Sequence, residues 1–317
     1  HVCGAQGRMT RLVPFILSLC LIALPVFAER IEVSGDTGAL IKALEQSHEG
    51  DELILALGRY AGPVHITRPL TLSGQAGAVI DGGHEGTVIT VDAKDVTVRG
   101  LTVTNSGRSH DTIDAGIKLT KRAKGARVLD NDILGNLVGV DIHGARDALV
   151  KGNRIEGLRL ARMNDRGNGI YVWNAPGSVV ENNEIRYGRD GIFSNTSKRN
   201  TYRGNLMRDL RFAVHYMYVD KSEVSGNVSI GNHLGYAVMF STRVKVLNNV
   251  SIDDRDHGVM MNYANKSLIS GNYVRNTQGK CTFLYNSNKN EFTDNWFQGC
   301  GIGIHFAAGS DGNRISA

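Results

Sequence analysis

The sequence predicts an all-β protein, a right-handed parallel β-helix solenoid with coils of about 22 residues and an N-terminal helical cap. Two observations carry this expectation. An asparagine recurs in one local setting at Asn131, Asn153, Asn183, Asn205, Asn227, Asn249, Asn272 and Asn295, in steps of 22, 30, 22, 22, 22, 23 and 23 residues. After each come a short apolar pair, a turn, and a small residue opening an alternating strand, as in Gly169-Ile170-Tyr171-Val172, Gly191-Ile192-Phe193 and Gly303-Ile304-His305. A third short segment, such as Ser178-Val179-Val180 or Lys245-Val246-Leu247, leads into the next asparagine, so each coil holds three strands and three turns. Helical repeats need longer units with 3.6-residue periodicity, and leucine-rich repeats need a leucine pattern that is not present.

From the N-terminus, Met9-Thr10-Arg11 precedes an almost wholly apolar run from Leu12 to Leu24, bracketed by Pro14 and Pro25 and followed by Val26-Phe27-Ala28. A basic start, an apolar run well short of the ~20 residues of a spanning helix, and small residues at the junction describe a secretory signal peptide. Residues 1–28 are therefore read as upstream sequence and leader, and residues 29–317 as a single exported β-helix domain. Thr37 followed by Leu40, Ile41 and Leu44 predicts a short capped helix that plugs the first coil and covers its sheet edges. Upstream of Asn131 the coil pattern persists without asparagine in Asp95-Val96-Thr97-Val98-Arg99-Gly100-Leu101. Two insertions of 8 residues emerge at the same turn, one near Arg108 to Asp114 and one in Leu158 to Gly167. They bring Ser109-His110-Asp111 with Asp114, and Met163-Asn164-Asp165-Arg166, onto loops that either bind something or are simply solvated. Asn313 matches Asn200 and Asn290, so Ala317 falls inside a coil and the natural protein is expected to continue beyond it.

The asparagines have a structural task. In coils about 4.8 Å apart, an amide that donates and accepts bonds to the same amide above and below. Without Arg8 and Arg11 the mature part carries 34 Lys+Arg against 31 Asp+Glu, a balance of +3. That is too mild to argue for a nucleic-acid partner or an anionic membrane. Only Cys281 and Cys300 remain after the leader, in an oxidising compartment, and whether they pair stays open.

Strand alternation assigns Ile170, Val172, Ile192, Val214, Val238, Val259 and Ile304 inward. The outward column is then Tyr171, Phe193, His215, Met239, Met260, Phe283 and His305, and the next one is Trp173, Asn195, Met217, Asn262 and Tyr285. Exposed sheet faces normally carry small polar or charged residues, so aromatic, methionine and histidine side chains there mark a ligand or partner face. His215, Met217, Met239 and Met260 fall on three consecutive coils, and thioether plus imidazole suits Cu(I) rather than calcium or magnesium. Tyr171, Trp173, Phe193, Phe283 and His305 form the rest of the partner-facing surface. A face that docks a protein without metal, or packs under a further segment, uses the same residues.

Gly58-x-Tyr60-x-Gly62, Ile66-Thr67-Arg68-Pro69-Leu70-Thr71-Leu72-Ser73-Gly74 and Ile80-Asp81-Gly82 resemble the opening of NosD proteins and of β-helical carbohydrate-binding and sugar-hydrolase domains. Asp165-Arg166-Gly167-Asn168-Gly169-Ile170, Gly188-Arg189-Asp190-Gly191-Ile192, Ala213-Val214-His215-Tyr216-Met217, Gly235-Tyr236-Ala237-Val238-Met239, Gly258-Val259-Met260-Met261-Asn262-Tyr263 and Gly303-Ile304-His305 with Ala308-Gly309-Ser310 resemble the NosD family specifically. The resemblance implies a periplasmic, non-enzymatic accessory protein for assembly of the copper centres of nitrous oxide reductase. It implies as partners an ABC ATPase and membrane permease, a copper chaperone and the reductase, with copper or a sulfur species as cargo. It also favours copper at the methionine and histidine column, because the family motifs contain those residues.

Two readings from other classes remain. A polysaccharide lyase or epimerase needs carboxylates and a base grouped on one outward face, and Asp253-Asp254-Arg255-Asp256-His257 is the best candidate. A glycan-binding module needs an aromatic platform without metal affinity.

Overall fold

The computed structural model describes residues 28–317, together with residues 1, 2 and 4. Residues 3 and 5–27, which include Cys3, Cys20 and the apolar run read as a leader, lie outside the described residues. The strands from Arg30 to Ser316 stack into three parallel sheets of 13, 11 and 11 strands, each strand pairing with its counterparts one coil away. The result is a right-handed parallel β-helix. The third sheet runs from Val64–Ile66 to Ile302–Ala307 and contains the longest strands, among them Asp190–Asn195, Phe212–Met217, Leu234–Met239 and His257–Asn262.

Stacking is held by the predicted amide ladder. The side-chain Nδ2 of each asparagine donates to Oδ1 of the next, at 3.0 Å from Asn131 to Asn153, 2.9 Å from Asn183 to Asn205, 2.9 Å from Asn205 to Asn227 and 2.9 Å from Asn272 to Asn295. The same Oδ1 accepts the backbone N–H of the preceding asparagine, and the remaining Nδ2 hydrogen reaches an interior carbonyl, such as Val180 O at 3.0 Å from Asn205. Buried amides are thus fully satisfied. Each ladder asparagine follows a residue in the left-handed region, for example Asp130, Asn182 and Asn248 with φ of 52°, 55° and 53°, and Gly204 with φ of 64°. Asp, Asn and Gly tolerate that conformation, which is why they alternate before the asparagine. Inside, columns such as Val128, Val150, Val180, Tyr202, Val224, Val246, Ile269 and Phe292 are fully buried and supply the apolar driving force.

The N-terminal helix α1 spans Thr37–Gln46 and packs on the first strands through buried Leu40. Its cap is Asp36 rather than Thr37, since the Asp36 carboxylate accepts the N–H of Ala39 at 2.8 Å. Cys281 and Cys300 form a disulfide with Cα atoms 5.5 Å apart, which closes the open question of their pairing. Cys281 is buried inside its coil, and Cys300 reaches it from the turn between strands Trp296–Gln298 and Ile302–Ala307.

Candidate metal centre on the outer face of the third sheet

Register decides which side chains meet. Phe193 pairs with His215, His215 with Ala237, Ala237 with Met260, Met260 with Phe283, and Phe283 with His305. Asn195 pairs with Met217, Met217 with Met239, and Met239 with Asn262. Met239 therefore stands beside Met217 in the second outward column, and Ala237 occupies the place beside His215 that the sequence reading gave to Met239. The correction has a clear cause. Val238 pairs with Tyr216, and the inward residue matching Val214 is Tyr236. Tyr216 and Tyr236 are buried inside the coil, where their hydroxyls donate to Glu223 O and Val250 O, each at 2.9 Å. An apolar-in, polar-out rule does not place a tyrosine inside, but a hydrogen-bonded hydroxyl does.

The corrected register gives a compact arrangement. His215 and Met260 flank Ala237 in one column, Met239 is two residues along the same strand, and Met217 is the diagonal neighbour. Coil spacing of about 4.8 Å and a strand rise of about 3.3 Å per residue put all four within one coil or one same-face step of Ala237, or one of each. Ala237 lies on the outer face, yet has no exposed surface. The larger neighbours roof its methyl group. Met217, Met239 and Met260 are half-buried, and His215 is 5% exposed.

His215 is held firmly. Its Nδ1 lies 3.0 Å from Asp190 Oδ2, while Arg211 grips the same carboxylate through Nε at 2.8 Å and Nη2 at 2.7 Å. Phe193 stacks on the imidazole at 4.7 Å and Phe212 meets it edge-on at 5.1 Å. Burial pushes the Asp190 carboxyl up, but the hydrogen bonds from His215 and Arg211 together hold it below the usual carboxylate range. An ionised acceptor at Nδ1 places a proton there, so in the neutral ring Nε2 is the nitrogen that carries the lone pair. Nε2 is buried and has no hydrogen-bond partner. In the neutral ring that nitrogen, beside three thioethers, makes a donor set suited to a soft monovalent metal ion. Among the described residues, no cluster of three or more His, Cys, Asp or Glu is placed to hold a metal ion.

The other surface residues take the outward positions expected of them. Tyr171 stacks on Phe193 at 5.4 Å, and Phe283 meets His305 at 5.4 Å. Trp173 lies in the second column and stacks on His143 at 4.5 Å. The sequence reading missed an exposed ridge next to Met217 and Met239. Tyr218 stacks on Phe240 at 5.3 Å and Phe240 on Tyr263 at 5.1 Å. All three hold left-handed backbone, with φ of 54°, 47° and 51°, a region bulky residues seldom occupy. Their spacing of 22 and 23 residues was the signal.

Of the acidic run weighed for catalysis, Asp254 is taken up by the scaffold. Asp254 is wholly buried and accepts from Ser229 at 2.7 Å, Ser251 at 2.5 Å and the Asn232 backbone at 2.8 Å. Asp256 is paired with Arg255 at 2.8 Å, and Asp253 accepts from Asn276 at 3.1 Å.

The model of the family described as "Periplasmic copper-binding protein (NosD)" matches residues 158–317, and a family described only as DUF1565, of unknown function, matches residues 45–200. A Pseudomonas aeruginosa protein named "Probable ABC transporter binding protein NosD" is 38% identical over 83% of this chain, and one of the same name from Stutzerimonas stutzeri is 36% identical over 83%. The matches span 64% and 63% of those relatives' own lengths. A mannuronic-acid-specific family 6 polysaccharide lyase from human gut microbiota superposes with a TM-score of 0.68 over 90% of this chain and 82% of its own, at 10% identity. That last likeness is one of fold alone. With a family match over half of its length and the outer-face motifs in register, the chain belongs to the NosD family.

Proposed function

We propose that this chain is a periplasmic accessory protein that handles Cu(I) during assembly of the copper centres of nitrous oxide reductase. His215 Nε2 and the thioethers of Met217, Met239 and Met260 are the donors. One observation carries the reading: register sets one imidazole and three methionines around the small, fully covered Ala237, and the imidazole Nε2 is buried without a hydrogen-bond partner. Asp190 and Arg211 act as positioning residues by fixing the ring and its tautomer. Neutral thioethers bind soft copper without being deprotonated, which suits a cargo that must later be released. In the proposed assembly the cargo arrives from a copper chaperone and passes to the reductase, with an ABC ATPase and permease as the membrane partners. The names of the relatives support the transporter association, and the exposed Tyr218, Phe240 and Tyr263 offer contact area beside the site.

Titration of the chain with Cu(I) against a competing chelator tests this. Binding should weaken at least tenfold when Met217, Met239 and Met260 are all replaced by leucine, a change that keeps side-chain volume. Equal affinity in the two proteins would discard the site.

A further inference from the structure

The two insertions meet. His110 Nε2 lies 3.1 Å from the carbonyl of Asp165, so the loop carrying Arg108 to Asp114 closes against the loop carrying Leu158 to Gly167. Beneath them is a cavity of about 180 Å³, smaller than the several hundred Å³ of a typical drug-sized site. Val138 and the rings of Tyr171 and Phe193 form its apolar wall, and Arg166, Asn168 and Arg189 supply its polar groups.

Charge is unbalanced in this cavity. Among the described residues, no carboxylate forms an ion pair with Arg166 or Arg189. Arg166 donates instead to the Leu160 carbonyl at 2.7 Å and lies 3.7 Å from the Met163 sulfur. Asp190, next to Arg189 in the chain, is committed to Arg211 and His215. Burial, and then the charge of Arg211, hold the Arg189 guanidinium below its usual range, with the Asp190 charge only partly offsetting them. Two particular atoms are also orphaned: Arg189 Nε, a donor, and Asn168 Oδ1, an acceptor, are buried without hydrogen-bond partners. Such groups are rare in native structures and call for a partner.

We propose that this cavity binds a small hydroxycarboxylate. Its carboxylate would lie between the Arg166 and Arg189 guanidiniums, whose planar forks match carboxylate geometry. Its hydroxyl would donate to Asn168 Oδ1, and its short carbon body would rest on Tyr171 and Phe193. The site is separate from the methionine cluster, although Phe193 touches both the cavity and His215.

Calorimetric titration of the metal-free chain with lactate, acetate and sulfate tests the proposal. Lactate should bind, at least fivefold more tightly than acetate, and Arg189→Gln and Arg166→Gln should each weaken it at least tenfold with the far-ultraviolet circular dichroism unchanged. The triple Met217, Met239 and Met260 to leucine variant should bind lactate as the unmodified chain does, which separates this site from the copper reading. Absence of lactate binding, binding indifferent to both arginine variants, or sulfate binding as tightly as lactate would overturn it.

Discussion

Replacing Asn205 by leucine is expected to destabilise the protein by on the order of 4 kcal/mol. Asn205 Oδ1 accepts both the backbone N–H and the side-chain Nδ2 of Asn183, and its own Nδ2 serves Val180 O and Asn227 Oδ1. Leucine fills similar space but leaves two buried donors of Asn183 and the Val180 carbonyl unmatched, at about 1–3 kcal/mol for each lost donor. In a solenoid each coil is stabilised by its neighbours, so the lesion also loosens the contact between the two halves of the stack. Urea unfolding followed by circular dichroism measures the shift. A loss under about 1 kcal/mol would mean that the ladder decorates the turn without holding it.

The second large effect has the opposite sign. Asp254→Asn is expected to raise stability at pH 7.5 by about 2 kcal/mol and to change little at pH 4. Burial pushes the Asp254 carboxyl up to about 6, against the hydrogen bonds from Ser251, Ser229 and the Asn232 backbone. In the unfolded chain it titrates near 3.8. Below that value both states hold the proton and no difference arises. Between 3.8 and about 6 the folded state keeps a proton that the unfolded state has released, so stability falls as the pH rises through this window. Above it the native protein carries a buried carboxylate. Asparagine keeps an oxygen for the Asn232 N–H and removes the charge, and the serine hydroxyls can rotate to accept. Asp190 contributes in the other direction, with stability present above the ordinary aspartate range and lost on acidification, but it is common to both proteins and cancels in the comparison. Urea midpoints at the two pH values decide the matter, and equal differences at both would contradict the role of charge.

The fold was legible because a solenoid repeats its own evidence. Eight asparagines at a near-constant step, each preceded by a turn residue, declare a coil without knowledge of any contact. The two steps of 30, one between Val98 and Val128 and one between Asn153 and Asn183, were equally informative: both insertions leave the same turn, and the structure joins them at His110 and Asp165. Register within the third sheet was harder. Strand period 2 tells inward from outward only when the inward residues look apolar, and Tyr216, Tyr236, Ser194 and Thr282 do not. Hence Met239 was placed one same-face step away from its true column. The role of Ala237 was invisible for a different reason. Its place between the donors is set by register with the neighbouring coils, and no property of alanine announces it. Nor could the sequence show that His215 and Arg211 converge on Asp190, since the His215 contact joins two coils across 25 residues.

Cu(I) affinity of Ala237→Leu is the most direct measurement. All four donors, the Asp190 and Arg211 support and the inward side of the strand are retained, and only bulk is added between the donors. Coil stacking that sets His215, Met217, Met239 and Met260 around Ala237 predicts at least a tenfold loss of Cu(I) affinity with an unchanged circular dichroism spectrum. Undiminished affinity would place the metal elsewhere on the chain and contradict the proposed centre.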